Sequence, residues 1–230
     1  MLFYSKFFLF CLMNVRFLHS FVGIKPRTTV FIRKQKSIHS YNTRVVCDDI
    51  SMNDTESADT LIKLDMNNIL FYGPITRNSC FQLQCYLREF EKKRKMLDYN
   101  EVKLHIQSQG GELLPAFYVS DYIKKMRMPV HTYIDSYAAS AATLISVAGK
   151  RRYMSEHSLL LVHQLSSQIS GKYDQFNVEV ANLNTIMNLA KDIYIKNSNL
   201  TNTELDELLS TDLWLNSSVA LSMGMIDEII

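Results

Sequence analysis

Four short stretches of this 230-residue chain hold side chains that could carry chemistry. In Ala138-Ala139-Ser140-Ala141-Ala142 a serine stands among small neighbours, which lets a substrate backbone approach its hydroxyl. If a helix starts there, its free N–H groups would face an oxyanion. Read alone, the stretch is far more often a serine packed in a buried helix. In Leu159-Leu160-Leu161-Val162-His163-Gln164 an apolar strand ends in an imidazole, a general base at a sheet edge or a hydrogen-bonded structural histidine. In Thr211-Asp212-Leu213-Trp214 a carboxylate at a loop could orient that imidazole, or simply cap a helix. In Ser108-Gln109-Gly110-Gly111 two adjacent glycines permit positive φ, so that an N–H can point at a developing charge; the alternative is a plain turn.

The elements that must position these residues can be read from pattern. Ile69-Leu70-Phe71-Tyr72 is a short strand closed by Gly73-Pro74. Thr76 or Asn78 caps a helix running to about Lys92, with Leu83, Leu87 and Phe90 on one face. Val102, Leu104 and Ile106 alternate with polar residues as in a half-buried strand ended by Gly110-Gly111. A helix over about 114–126 stops at Pro129, a strand follows over 130–135, and 138–147 reads as a small-residue buried helix. Strands over 152–154 and 159–162 precede a long helix over about 173–197. That helix carries Phe176, Val180, Leu183, Met187, Ala190 and Tyr194 as one apolar stripe, broad enough to need a sheet or another subunit as cover. Thr201 and Glu204 form a capping box for a short helix, and a last helical turn closes at Gly224 before an Ile-rich strand. Strand–helix alternation through one domain predicts an α/β fold with much parallel pairing.

Composition narrows the chemistry. Of the 25 basic and 23 acidic residues, eight basic and no acidic ones fall in residues 1–47. The rest holds 17 basic against 23 acidic residues, a balance of −6, which does not suit a nucleic-acid partner. The four cysteines, Cys11, Cys47, Cys80 and Cys85, have neither CxxC spacing nor a scaffold pattern. No H-E-x-x-H or Cys/His cluster suggests a metal, and no phosphate-binding G-x-x-x-x-G-K-[ST] loop is present.

The basic head reads as an address. Phe7-Phe8-Leu9-Phe10-Cys11-Leu12-Met13 is too short to span a bilayer but fits the core of a signal peptide, with Ser20 before a cleavage point. From Phe21 to about Val46 the chain is basic, acid-free and Ser/Thr-rich, like an organelle transit peptide. The combination resembles the two-part presequences of plastid proteins in algae with secondary plastids. The expected organisation is a bipartite presequence over 1–47 (signal-like 1–20, transit-like 21–47), a flexible leader over 48–66 and one domain over 67–230. The expected location is a plastid, the alternative a mitochondrial matrix, and no stable membrane insertion is expected.

Taken together, the order of the four stretches resembles the proteolytic subunit of the ATP-dependent Clp protease over about 68–229. The resemblance rests on S-x-G-G after a strand, A-A-S, His-Gln after an apolar strand, a long helix, Asp–x–aromatic–Leu, and a closing Gly-Met-Ile-Asp. It implies the α/β fold of the Clp protease and crotonase type, repeated strand–helix units with a protruding handle helix. It further implies that Ser140 is the nucleophile, His163 the general base and Asp212 the residue orienting it, with the N–H groups of Gly111 and Ala141 as the oxyanion hole. Gly110, Gln164 and Leu165 would bind substrate. The implied partners are unfolded polypeptides, a Clp-type AAA+ ATPase that feeds them, and further proteolytic subunits in homo- or hetero-heptameric rings stacked as a tetradecamer. No cofactor is implied, since ATP is used by the ATPase.

The sequence departs from the family pattern at several points. Ala141-Ala142 replaces Met-Gly after the serine, Gln109 replaces Pro in S-P-G-G, and Leu165 replaces Pro after His-Gln, followed by Ser166-Ser167 in place of two Gly. Lys103 and His105 stand where aromatic residues line the family's ATPase-docking pocket, and Thr211 where a charged residue is usual. These departures keep open a noncatalytic structural subunit of a mixed ring. A crotonase-type acyl-CoA enzyme, which shares the fold and the N–H oxyanion hole, would not require the serine, histidine and aspartate.

Overall fold

The structure, a computed structural model, describes residues 61–230. The expected presequence (1–47) and residues 48–60 of the expected leader lie outside the described residues. One eight-stranded sheet organises the chain. Its main path runs β1(Leu61–Asp65), β2(Asn68–Tyr72), β3(Val102–Ser108), β4(Val130–Ala139), β5(Arg151–Met154) and β8(Glu228–Ile229). β1 and β2 are an antiparallel hairpin; from β2 to β8 all pairings on this path are parallel, as strand–helix alternation predicts. Off this path, β6(Leu159–Leu161) runs parallel to the end of β4, and β7(Trp214–Asn216) pairs antiparallel with β6.

Most helices sit where periodicity puts them. α1(Arg77–Lys93) starts at Thr76, whose hydroxyl accepts the Ser79 N–H while the Ser79 hydroxyl accepts the Thr76 N–H. It buries Leu83, Leu87 and Phe90, the expected stripe, each worth about 1.5–3 kcal/mol when removed from water. α2(Leu113–Lys125) ends before Pro129, and α3(Ala141–Val147) is buried along its whole length. α4(Tyr173–Asn197) has the expected bounds, and α5(Asn202–Thr211) has the Thr201/Glu204 capping box. α6(Ser217–Ser222) is capped by Asn216.

Three expectations need correction. The expected flexible leader runs to residue 66, but 61–65 form β1, because Ile62 and Leu64 pack on the core while Leu61, Lys63 and Asp65 face outward. The hairpin turn hides from sequence reading because Met66, not a glycine, takes the left-handed φ of 54°. Second, the strand expected to stop at Asp135 continues to Ala139, so the helix begins at Ala141 rather than 138. The register explains this. Ile106 faces Ile134, but Ser108 faces Ala138, so β4 bulges by two residues and its alternation is interrupted there. Third, Trp214–Asn216 is a strand; only three residues long, it is too short to show a period.

The side of the sheet away from the core carries a row of rings. His105 stacks on Tyr133 at 4.7 Å between centroids, and Tyr133 on Tyr153 at 4.6 Å. Asp135 accepts from Tyr72 Oη at 2.5 Å and lies 3.0 Å from His105 Nδ1. Burial, followed by the Asp135 hydrogen bond, pushes the Tyr72 phenol up to about 12.

The C-terminal segment is fastened by Arg152. Its guanidinium donates to Asp227 at 3.0 and 2.6 Å, to the Gly224 carbonyl at 2.8 Å, and to the Asn197 carbonyl. Arg152 thus joins β5 to the end of α4 and to the turn before β8. Its hydrogen bond holds the Asp227 carboxyl below the ordinary value of 3.8. The folded-state value being the lower one, this contribution is complete above 3.8 and is lost as the pH falls further. Asp227→Asn should therefore destabilise the protein at neutral pH, with the difference from wild type closing in acid. Thermal unfolding of both proteins from neutral pH downward checks this; a gap independent of pH would refute the linkage.

Candidate active site

Ser140 lies where β4 meets α3, at the N-cap of that helix with φ 55° and ψ −129°. For a non-glycine residue this is a strained backbone, costing about 1–3 kcal/mol, which neighbouring contacts must hold. The holding contacts are main-chain. Ser140 N–H donates to the Leu161 carbonyl at 2.8 Å, and its own carbonyl accepts Thr143 N–H at 3.0 Å. A serine at an N-cap normally spends its hydroxyl on the first turn of the helix, but Ser140 makes no side-chain cap. The hydroxyl is therefore available for other chemistry.

The glycine turn lies against this serine. Gly110 has φ 90°, and a Cβ there would meet Ala139 O at 2.5 Å and Ser140 Cβ at 2.6 Å. Only a residue without a side chain allows the two turns so close. Gly111 (φ 148°) bridges to Ile75, with Ile75 N–H donating to the Gly110 carbonyl and Glu112 N–H to the Ile75 carbonyl. In a parallel bridge of this form, the Gly111 N–H points away from Ile75. Among the described residues, no acceptor takes the N–H of Gly111 or that of Ala141 at the start of α3.

His163 follows β6, two residues beyond Leu161, the residue that receives the Ser140 N–H. Gly111, Ser140, His163 and Leu165 line one cavity, closed by Leu113, Leu144, Met187, Ala190 and Tyr194. His163 Nδ1 lies 2.6 Å from the Gln164 carbonyl. A carbonyl only accepts, so Nδ1 carries a proton; in the neutral ring the lone pair is then on Nε2, the tautomer a general base needs. Gln164 itself is exposed, and its N–H donates to the Leu209 carbonyl in the last turn of α5 at 3.1 Å.

Asp212 is the left-handed C-cap of α5, with φ 49° and ψ 36°. The β6–β7 register pairs Leu159 with Asn216, Leu160 with Leu215 and Leu161 with Trp214. The ladder ends there: His163 lies two residues beyond Leu161 and Asp212 two residues before Trp214, and past its end the Gln164 N–H turns to the Leu209 carbonyl. The two side chains are not joined: Asp212 is exposed, and His163 Nδ1 is held by the Gln164 carbonyl. Nor does a hydrogen bond link Ser140 Oγ to His163 among the described residues. Ser140, His163 and Gly111 thus share one cavity, and Asp212 is not among the residues that line it.

A protein-family model for the Clp protease matches residues 52–230. The chain belongs to the Clp protease family. Among curated proteins it is similar to ATP-dependent Clp protease proteolytic subunit 1 of Protochlamydia amoebophila, 27% identical over 129 residues, or 54% of this chain and 63% of that protein. The subunit 1 proteins of Chlamydia muridarum and Chlamydia pneumoniae are each 25% identical, over 73% of this chain and 88% of theirs. The family is one of serine peptidases, and the α/β architecture described above is consistent with its fold.

Within this Clp protease family member, two polar residues near the serine escape sequence reading. Thr143 and Tyr194 are both buried, and their hydroxyls lie 2.6 Å apart. Tyr194 looked like the last rung of the α4 stripe, and Thr143 like one more small residue in α3. Burial pushes the Tyr194 phenol up, so it stays protonated at working pH. The stripe itself is divided. Ala190 and Tyr194 are buried against the core, whereas Phe176 and Val180 are exposed and Leu183 half-exposed. Among the described residues no cluster of His, Cys, Asp or Glu could hold a metal ion, and no helix is long and apolar enough to cross a membrane.

Proposed function

We propose that this chain is a catalytic subunit of a Clp protease, a serine endopeptidase that cleaves unfolded polypeptides by acyl transfer. The observation carrying this reading is the convergence on one cavity of a strained serine with an uncommitted hydroxyl, a histidine whose Nδ1 is held by a carbonyl, and the Gly111 turn. Ser140 attacks the peptide carbonyl and His163 takes its proton, later returning it to the leaving amine. The N–H groups of Gly111 and Ala141 stabilise the tetrahedral oxyanion, and water releases the acyl group. Asp212 replaces the Gln164 carbonyl as the partner of Nδ1 when its side chain turns inward. Gly110, Gln164 and Leu165 border the track of the substrate backbone. All these groups belong to the protein, and ATP is consumed by the partner ATPase.

A noncatalytic ring subunit is the second reading, favoured by the exposed, unjoined Asp212. Fluorogenic peptide hydrolysis by the purified assembled protein separates the two. Turnover lost in Asp212→Asn supports the first; no turnover in wild type supports the second.

Assembly with further proteolytic subunits follows from the uncovered half of α4. Tyr173, Phe176 and Val180 together expose an apolar surface that needs a partner. Val180→Asp with Leu183→Asp, which spares the cavity residue Met187, should yield smaller particles, because the charges would be buried without partners. Unchanged size by light scattering would mean that α4 is not an interface. Docking of a Clp-type ATPase is assigned to the His105–Tyr133–Tyr153 face. The address over 1–47 is assigned to a plastid, with the mitochondrial matrix as the alternative; imaging residues 1–47 fused to a fluorescent protein distinguishes them.

A further inference from the structure

We propose that Tyr194 and Thr143 are positioning residues that aim the Ala141 N–H at the oxyanion, an inference that rests on the catalytic reading above. Thr143 Oγ1 donates to the Ser140 carbonyl at 2.6 Å and lies 2.6 Å from Tyr194 Oη. A hydroxyl has one proton, and Thr143 gives it to the carbonyl, which can only accept. Tyr194 must therefore donate to Thr143, and the chain runs Tyr194 O–H to Thr143 O–H to the Ser140 carbonyl. In a dry interior, each hydroxyl polarises the next and strengthens the bond it makes.

The end of this chain matters more than its strength. The Ser140 carbonyl and the Ala141 N–H belong to one planar peptide unit and point in opposite directions. Ser140 ψ, at −129°, is the torsion that turns this unit. Two donors from Thr143, its N–H at 3.0 Å and its hydroxyl, hold the carbonyl on the helix side. The N–H of Ala141 is thereby held on the opposite side. Since the serine backbone is strained, the peptide would otherwise rotate toward a commoner conformation. Tyr194 supplies the outer anchor from α4, and its ring also lines the cavity with Ser140 and His163.

A buried Tyr–Thr pair could instead be a satisfied core contact. The two roles differ in what is lost when one hydroxyl is removed. A core contact changes stability, whereas an aiming device changes turnover and transition-state affinity at nearly constant KM. The test uses the assembled protein as wild type, Tyr194→Phe, Thr143→Val and Thr143→Ser. It measures peptide kcat and KM, thermal stability, and affinity for a peptide boronate, whose tetrahedral adduct occupies the oxyanion hole. Thr143→Val should lower kcat about 100-fold and Tyr194→Phe about tenfold, with KM within about twofold. Boronate affinity should fall in proportion to kcat. Thr143→Ser, which keeps the hydroxyl, should restore most of kcat. If Tyr194→Phe does not assemble, the contrast of valine with serine at 143 decides the matter. Wild-type kcat and boronate affinity in Thr143→Val would overturn the inference while leaving the catalytic reading standing. A wild-type protein that neither hydrolyses peptide nor binds the boronate would overturn the catalytic reading, and this inference with it.

Discussion

Ser140→Ala should reduce peptide hydrolysis to background, a loss on the order of 10⁶-fold in kcat, with stability changed by less than about 0.5 kcal/mol. The two halves of this expectation come from one observation. An N-cap serine that bonds the helix would cost about 1 kcal/mol on replacement by alanine. Ser140 makes no such bond, and its main-chain contacts to Leu161 and Thr143 survive the change. The hydroxyl therefore has no structural duty to lose. Peptide turnover and thermal unfolding of the same preparations check both halves. Full activity in the variant would remove Ser140 from the mechanism, and a large drop in melting temperature would make the residue structural.

Gly110→Ala should be nearly as damaging to activity for a different reason. Its Cβ would lie 2.5 Å from a backbone oxygen, 2.6 Å from Ser140 Cβ and 3.0 Å from Ala141 N, in a left-handed backbone that alanine disfavours. Neither turn can yield without displacing Ser140, the proposed nucleophile, or the Ala141 N–H proposed for the oxyanion hole. A displacement of about 1 Å costs about 100-fold in rate, and the strain about 2–4 kcal/mol in stability. Gly171→Ala is the control. There φ is also positive, at 149°, but the nearest atom is the tip of the Gln175 side chain, at 2.4 Å, which can swing away at the expense of its bond to the Lys172 N–H. Gln175 is not among the residues lining the Ser140 cavity. Both variants should lose stability, but only Gly110→Ala should lose turnover; equal losses of turnover would mean that the Gly110 contact with Ser140 does not position the site.

The legible parts of this fold were those with a period or a cap. α4 emerged with its bounds because 25 residues of stripe outweigh any local irregularity, and α5 because Thr201 and Glu204 announce its start. The β4–α3 junction was misjudged because the bulge opposite Ile106 breaks the alternation just before the serine. β1 was lost because its turn uses Met66 in a conformation that glycine normally signals. At the site, the residue types of Ser140, His163 and the paired glycines could be read from order alone, whereas their geometry could not. Thr143 and Tyr194 were invisible because 51 residues separate two hydroxyls that meet only through packing of α3 on α4. The link that order suggests and the coordinates leave open is Asp212, the exposed C-cap of α5, which makes no contact with His163 among the described residues.

The most direct measurement is reaction of the assembled mature protein with a fluorophosphonate, followed by intact mass and peptide mapping. The account predicts one adduct per chain, on Ser140, absent from Ser140→Ala and strongly slowed in His163→Ala. No adduct on the assembled protein, or an adduct that persists in Ser140→Ala, would contradict it.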